Sequence, residues 1–270
     1  MLSITSCQAP NVDPTCRSVA AWLSAVIEKP VLFVEDCGWQ ERARRLDEGA
    51  VDVAWMCGTW YLKRKDDLGQ SLALLAAPVM LGRRYGDRPI YFSDIVVRRE
   101  APFASFDDLR GAVWAYNEPD SHSGYHVVRC HLARLGERAG YFGGVVEAGS
   151  HQAALALILE GSVDAAAIDS TVLETEFRLR PGLEGRVRTV TTLGPSPMPP
   201  WVGRGDLDPA LVRALQQALT HMHESAEGRM ILTEAGWARF AGVTDADYDP
   251  LRAMLRQGAG VRLGAEPGSR

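Results

Sequence analysis

Leu46-Asp47-Glu48-Gly49-Ala50-Val51-Asp52-Val53-Ala54 and Leu159-Glu160-Gly161-Ser162-Val163-Asp164-Ala165-Ala166 carry the same outline. In each, a helix-compatible segment stops at a glycine, and a Val-Asp pair then opens an apolar run of strand character. The two glycines lie about 110 residues apart, too far for a solenoid repeat and close to the spacing of two similar lobes. This reads as a duplicated α/β architecture. The competing reading is that helix, glycine and Val-rich strand recur in any α/β chain without duplication.

Working outward from the first copy, strands are expected at Leu2 to Ser6, Val31 to Val34, Val51 to Trp55 and Leu74 to Met80. A helix capped at Asp13, with Pro14 at its first position, buries Val19, Ala20, Leu23 and Ile27. Another over Trp39, Ala43 and Leu46 stops at Gly49. Around the second copy, strands are expected at Ala112 to Tyr116, Val145 to Glu147 and Val163 to Ile168, with helices starting near Ser123, Ser150 and Ser170. Tyr91 to Arg98 leads into this lobe, and Arg186 to Val202, with Pro195, Pro197, Pro199 and Pro200, leads back. The expected division is residues 1–92 plus 200–270 in one lobe and 93–199 in the other, with two hinge crossovers and a ligand cleft between the lobes. Helices near Asp208 to Ser225, Ala226 to Ala235 and Asp245 to Arg256 should pack on the first lobe, and Gly258 to Arg270 reads as a frayed tail.

Composition narrows the function. The chain has 270 residues, 46% hydrophobic and 23% charged, which excludes intrinsic disorder. No apolar run approaches the roughly 18 residues of a membrane span. Lys and Arg number 29 against 34 Asp and Glu, for a formal charge of -5, and the basic residues are scattered, so nucleic acid is not an expected partner. Cys7, Cys16, Cys37, Cys57 and Cys130 contain no CxxC pair, hence neither a disulfide framework nor a zinc ribbon is expected. Met1 to Thr5 reads as a strand and not as a secretory signal, which suits either a cytosolic protein or a chain beginning at a mature boundary.

Asn117-Glu118-Pro119-Asp120-Ser121-His122-Ser123-Gly124-Tyr125 lies between a strand and a helix. Free N–H groups at a helix start favour anions, hydroxyls at Ser121 and Ser123 add donors, and Gly124 permits close approach. The plainer alternative is that one serine is only a helix cap. His122, His126 and His151 lack convincing metal-ligand spacing, and no nucleophile elbow supports Ser123, His151 and Asp169 as a triad. Trp39, Trp55, Trp60, Tyr61 and Trp201 could wall a cleft or simply fill core. Cys7, Cys37 and Cys57 fall near the C-terminal ends of the first three strands, where open α/β sheets bind ligands. Phosphate-loop, dinucleotide and zincin motifs are absent.

The ordered series Tyr91-Phe92-Ser93-Asp94-Ile95-Val96-Val97, Phe106-Asp107-Asp108-Leu109-Arg110-Gly111, Trp114-Ala115-Tyr116-Asn117, Ser121-His122-Ser123-Gly124, Gly149-Ser150-His151 and Gly161 to Asp169 resembles the phosphonate-binding subunit family of ABC importers, from about Asp13 to Met254. The resemblance implies a type II periplasmic-binding-protein fold and a non-catalytic solute-binding protein without a cofactor. It would capture a phosphonate, phosphite or phosphate, deliver it to an ABC permease, and act as an extracytoplasmic monomer. Carried over from the family, Ser121, His122, Ser123 and Gly124 grip the oxyanion, with His122 standing where the family often has Thr. Tyr61, His151 and Asp169 complete the implied site. The alternative is a cytosolic enzyme or small-molecule sensor on the same fold.

Overall fold

The computed structural model describes residues 1–264. Their contacts divide into two compact units, Met1–Ile90 with Pro197–Asp249, and Tyr91–Ser196 with Pro250 onward.

The first unit begins with β1 (Leu2–Ser6), α1 (Asp13–Val26), β2 (Val31–Val34), α2 (Trp39–Asp47), β3 (Val53–Trp55), α3 (Gly58–Leu62) and β4 (Leu72–Met80). The second unit follows with β5 (Ile90–Arg98), β6 (Val113–Tyr116), α4 (Val127–Arg134), β7 (Gly144–Glu147), α5 (His151–Glu160), β8 (Ala165–Asp169), α6 (Ser170–Leu179) and β9 (Val187–Pro197). The chain then returns through β10 (Trp201–Arg204), α7 (Pro209–His221), α8 (Ala226–Ala235) and β11 (Trp237–Ala241), and leaves again through α9 (Asp249–Gly258).

In the first unit the six-stranded sheet runs β11-β4-β10-β3-β1-β2. β1 is parallel to β2 and β3, whereas β10 is antiparallel to β3 and β4. α1 buries Val19, Ala20 and Leu23 at helical spacing, as its sequence demands. Arg42 of α2 is buried and meets both oxygens of Asp13, at 2.9 and 2.8 Å, a paired geometry that allows a guanidinium inside an apolar layer.

In the second unit the five-stranded sheet runs β7-β6-β8-β5-β9. Both faces are covered. On β5, Ile95 and Val97 face one cluster with Trp114, Val128, Leu132 and Phe142, while Val96 faces another with Leu155, Ile158 and Leu173. The same two-residue period sorts Ala165 and Ala167 from Ala166 and Ile168 on β8.

The echoed segments are structurally equivalent. Gly49 and Gly161 both have left-handed backbone, φ 74° and 81°, which ends each helix. Asp52 then accepts from Ser3 N at 2.8 Å, and Asp164 accepts from Val113 N at 2.8 Å, so each aspartate caps the neighbouring parallel strand. Over each glycine lies an arginine from an antiparallel neighbour: a Cβ at Gly49 would be 3.1 Å from Arg204 Nη1, and one at Gly161 would be 2.0 Å from Arg98 Nη1.

Three details differ from the sequence reading. The Pro-rich return is a paired strand, β9, tolerated because β9 lies at the sheet edge where a missing N–H breaks no ladder. β11 was not anticipated, its few residues following directly on the Gly236 helix stop. Thirdly, α9 from Pro250 onward belongs to the second unit, so the chain passes between units once more than the two expected crossings. Residues 258–264 are not frayed: Val261 and Leu263 are buried in the second unit's core, and Arg129 Nε donates to Val261 O at 2.7 Å. The rest of the expected tail, 265–270, lies outside the described residues.

Candidate functional site: a hydroxyl-lined turn backed by buried histidines

β6 ends at Tyr116, and the chain turns through Asn117 to Ser121 before entering a π-type helical turn, His122–His126, that continues into α4. Ser121 has extended backbone, and its Oγ accepts from Gly124 N at 3.2 Å. It is therefore the cap of this turn, with its own hydroxyl proton still to place. Ser123 does not cap. Its Oγ lies 2.9 Å from His151 Nε2, at the first residue of α5, whose own cap is Ser150.

Gly124 is required by close packing. A Cβ there would stand 1.9 Å from Asn117 Oδ1 and 3.3 Å from His151 Cε1, so the turn, the end of β6 and the start of α5 meet without room for a methyl group. Asn117, Ser121, His122, Ser123 and His151 are all buried.

His122 Nε2 is 2.7 Å from Ser196 Oγ, near the end of β9. Ser196 is buried, and sequence reading had not singled it out. The available signal was a polar residue set between Pro195 and Pro197. Asp169 closes β8, which packs against the His122–His126 turn. Its Oδ1 accepts from Thr171 N at 2.8 Å and Thr171 Oγ1 at 2.7 Å, capping α6. No hydrogen bond joins Asp169 to His151 among the described residues, so Ser123, His151 and Asp169 do not form a relay.

The structure thus brings Ser121, His122, Ser123, Gly124 and His151 together, with Asp169 on the adjoining strand. Tyr61 lies in the first unit, on α3, where its hydroxyl donates to Asp245 Oδ1 at 2.5 Å and its ring packs on Tyr248.

Burial sets the charge of this region. It pushes His122 down to about 3, helped by His126, and His151 down to about 4, against the Ala167 backbone, which favours the charged ring. Both imidazoles are neutral at pH 7. Burial also raises Asp169 to about 6, although the Thr171 hydrogen bonds pull it back, and raises Glu118 to about 7 with help from Asp120 and Glu147. Residues 117–125 contain no Lys or Arg. An anion here would be met by hydroxyls and helix-start N–H groups, not by a fixed cation.

A family model described as ABC transporter, phosphonate, periplasmic substrate-binding protein matches residues 3–248. The chain belongs to this family. It is a phosphonate-class solute-binding protein of ABC transport, and the family is not enzymatic. Members are periplasmic, bind a small phosphonate ligand and work with an ABC transporter.

Solved structures agree on the fold. A binding-protein component of an ABC phosphonate transporter from Pseudomonas aeruginosa superposes with a TM-score of 0.81 at 17% identity, covering 94% of this chain and 84% of that one. PhnD1 from Prochlorococcus marinus, solved with methylphosphonate, gives 0.82 at 17% identity, covering 96% and 98%. An arginine transport-system periplasmic binding protein from Legionella pneumophila gives 0.60 at 15% identity, covering 87% and 98%. The architecture is that of type II periplasmic binding proteins.

Proposed function

We propose that this family member captures a small phosphorus oxyanion (phosphonate, phosphite or phosphate) on the turn Ser121–Gly124, and that it does so as an extracytoplasmic monomer which hands the ligand to an ABC permease. The observation that carries this reading is the pairing of two buried serine hydroxyls with a helix start, in a region without Lys or Arg and backed by neutral imidazoles. Such a site binds through directional donors in a desolvated setting, which suits a tetrahedral anion with several acceptor oxygens. His151 and Asp169 border the turn, and Tyr61 is the first lobe's contribution in this reading, with closure of the two lobes retaining the ligand. The methylphosphonate held by PhnD1 supports the ligand class.

A thermal-shift panel of phosphate, phosphite, methylphosphonate and aminoethylphosphonate, with sulfate as control, tests it. A true ligand at 100 times its dissociation constant should stabilise the protein by about 2.7 kcal/mol. No stabilisation by any phosphorus anion, or equal stabilisation by sulfate, would contradict the reading.

A further inference from the structure

Ser123 has one hydroxyl proton, and its nearest partner is a buried imidazole nitrogen, His151 Nε2, 2.9 Å away. With the ring neutral and Nε2 bare, that proton goes to His151, and the hydroxyl offers an incoming anion only lone pairs. With the proton on Nε2 instead, the hydroxyl is released, but Nδ1 becomes a bare acceptor, buried and without a full hydrogen-bond partner. Protonation of both nitrogens removes the conflict. Nε2–H then donates to Ser123 Oγ, the Ser123 O–H points to the anion, and Nδ1–H gains the favourable influence of the Ala167 backbone.

We infer that the site binds its oxyanion together with one proton, which leaves solvent and settles on His151, so that a dianion is held as an ion pair bridged by the Ser123 hydroxyl. The inference rests on the anion lying on the Ser121–Gly124 turn. His151 acts through Ser123 and is a positioning residue.

Geometry favours His151 as the carrier, because it is the ionisable group hydrogen-bonded to Ser123. α5 packs on β6 and β8 and meets the His122–His126 turn through His151, and β8 also packs on that turn. Their ionisable groups are Tyr116, pushed up to about 12, Tyr125, Asp169, raised to about 6, and His122 and His126, depressed to about 3 and 4. None supplies a cation at pH 7. In the loop before the turn, Glu118 and Asp120 are acidic, and Glu118 is itself raised to about 7. A unit negative charge about 4 Å from the ring, at an effective dielectric near 20, favours imidazolium by about a thousandfold. That is enough to carry a ring that titrates at about 4 in the empty site to neutral pH, and a dianion carries it further.

The test is calorimetry of the intact protein with methylphosphonate, phosphite and phosphate. It is run about one pH unit above each ligand's second ionisation, in two buffers of different ionisation enthalpy. Nitrogen-15 spectra of the histidine rings accompany it. The expected result is an uptake of about one proton per anion, with both His151 ring nitrogens moving to protonated positions. His151→Gln, which keeps a donor for Ser123, should still bind, about tenfold or more weaker, and take up no proton. Binding without proton uptake, uptake with His151 still neutral or merely switched in tautomer, or undiminished uptake in His151→Gln would each overturn the inference while leaving the functional reading intact. Absence of binding by all three anions would overturn both.

Discussion

Gly124 shows how narrowly single residues define this site. A methyl group there would press into Asn117 Oδ1 and the His151 ring. Gly124→Ala should cost about 1 to 3 kcal/mol of stability and weaken anion binding, measured by chemical denaturation and calorimetry. Ser123→Ala removes one donor to a charged group and should cost about 1.5 to 3 kcal/mol of affinity. Ser121→Asp keeps a capping oxygen but sets a carboxylate against the ligand, and should nearly abolish binding with folding intact. Wild-type calorimetric affinity in both serine variants would place the anion elsewhere. The residue scale also fixes the pH response. His122 and His151 are depressed from 6.5 to about 3 and 4, so the stability they contribute is present above pH 6.5 and is lost as pH falls toward those values. Between pH 7 and 5 each should lose about 2 kcal/mol. Asp169 runs the other way and offsets about 1 kcal/mol, because its raised pKa favours folding as pH falls through about 6. His126, depressed to about 4, adds a loss of about 2 kcal/mol and Glu118, raised to about 7, offsets about 2 kcal/mol, so urea unfolding of the unliganded protein should show a net loss of about 2 to 3 kcal/mol. The serines, the glycine and both histidines were legible as local motifs. Ser196 was not, because its partner His122 lies far away in sequence and neither residue signals the other.

At the scale of elements, the echo of helix, glycine and Val-Asp strand was the most readable feature, and the two aspartates give it a physical reason. Each completes the hydrogen bonding at the start of a neighbouring strand, which no pattern of hydrophobicity records. Gly161→Ala would force an alanine to φ 81° and displace the Arg98 guanidinium. We expect a loss of about 1 to 2 kcal/mol, read by calorimetry as a fall of a few degrees in melting temperature. An unchanged melting temperature would show that the helix stop carries no strain. The same element-level reading missed β9, because prolines ordinarily argue against a strand and only an edge position excuses them. It also missed that α9 joins the second unit. The amphipathic pattern says that α9 has an apolar face, with Leu251 buried, but not which sheet receives it.

For the whole molecule, the proposal adds closure of the two α/β units over the captured ligand. Small-angle scattering should report a smaller radius of gyration when the right anion is added, whereas an unchanged profile at saturation would remove closure from the proposal. The lobe plan was legible because helix and strand periods differ and each lobe repeats the same grammar. The exact partition was not, since long-range packing assigns the C-terminal helix. The central claim is that a phosphorus oxyanion sits on the Ser121–Gly124 turn, and a crystal structure of the protein grown with the anion that stabilises it most tests this directly. The account predicts a tetrahedral anion with an oxygen within hydrogen-bonding distance of Ser123 Oγ and of backbone N–H groups at the start of the turn. An anion bound elsewhere, with this turn holding only water, would contradict it.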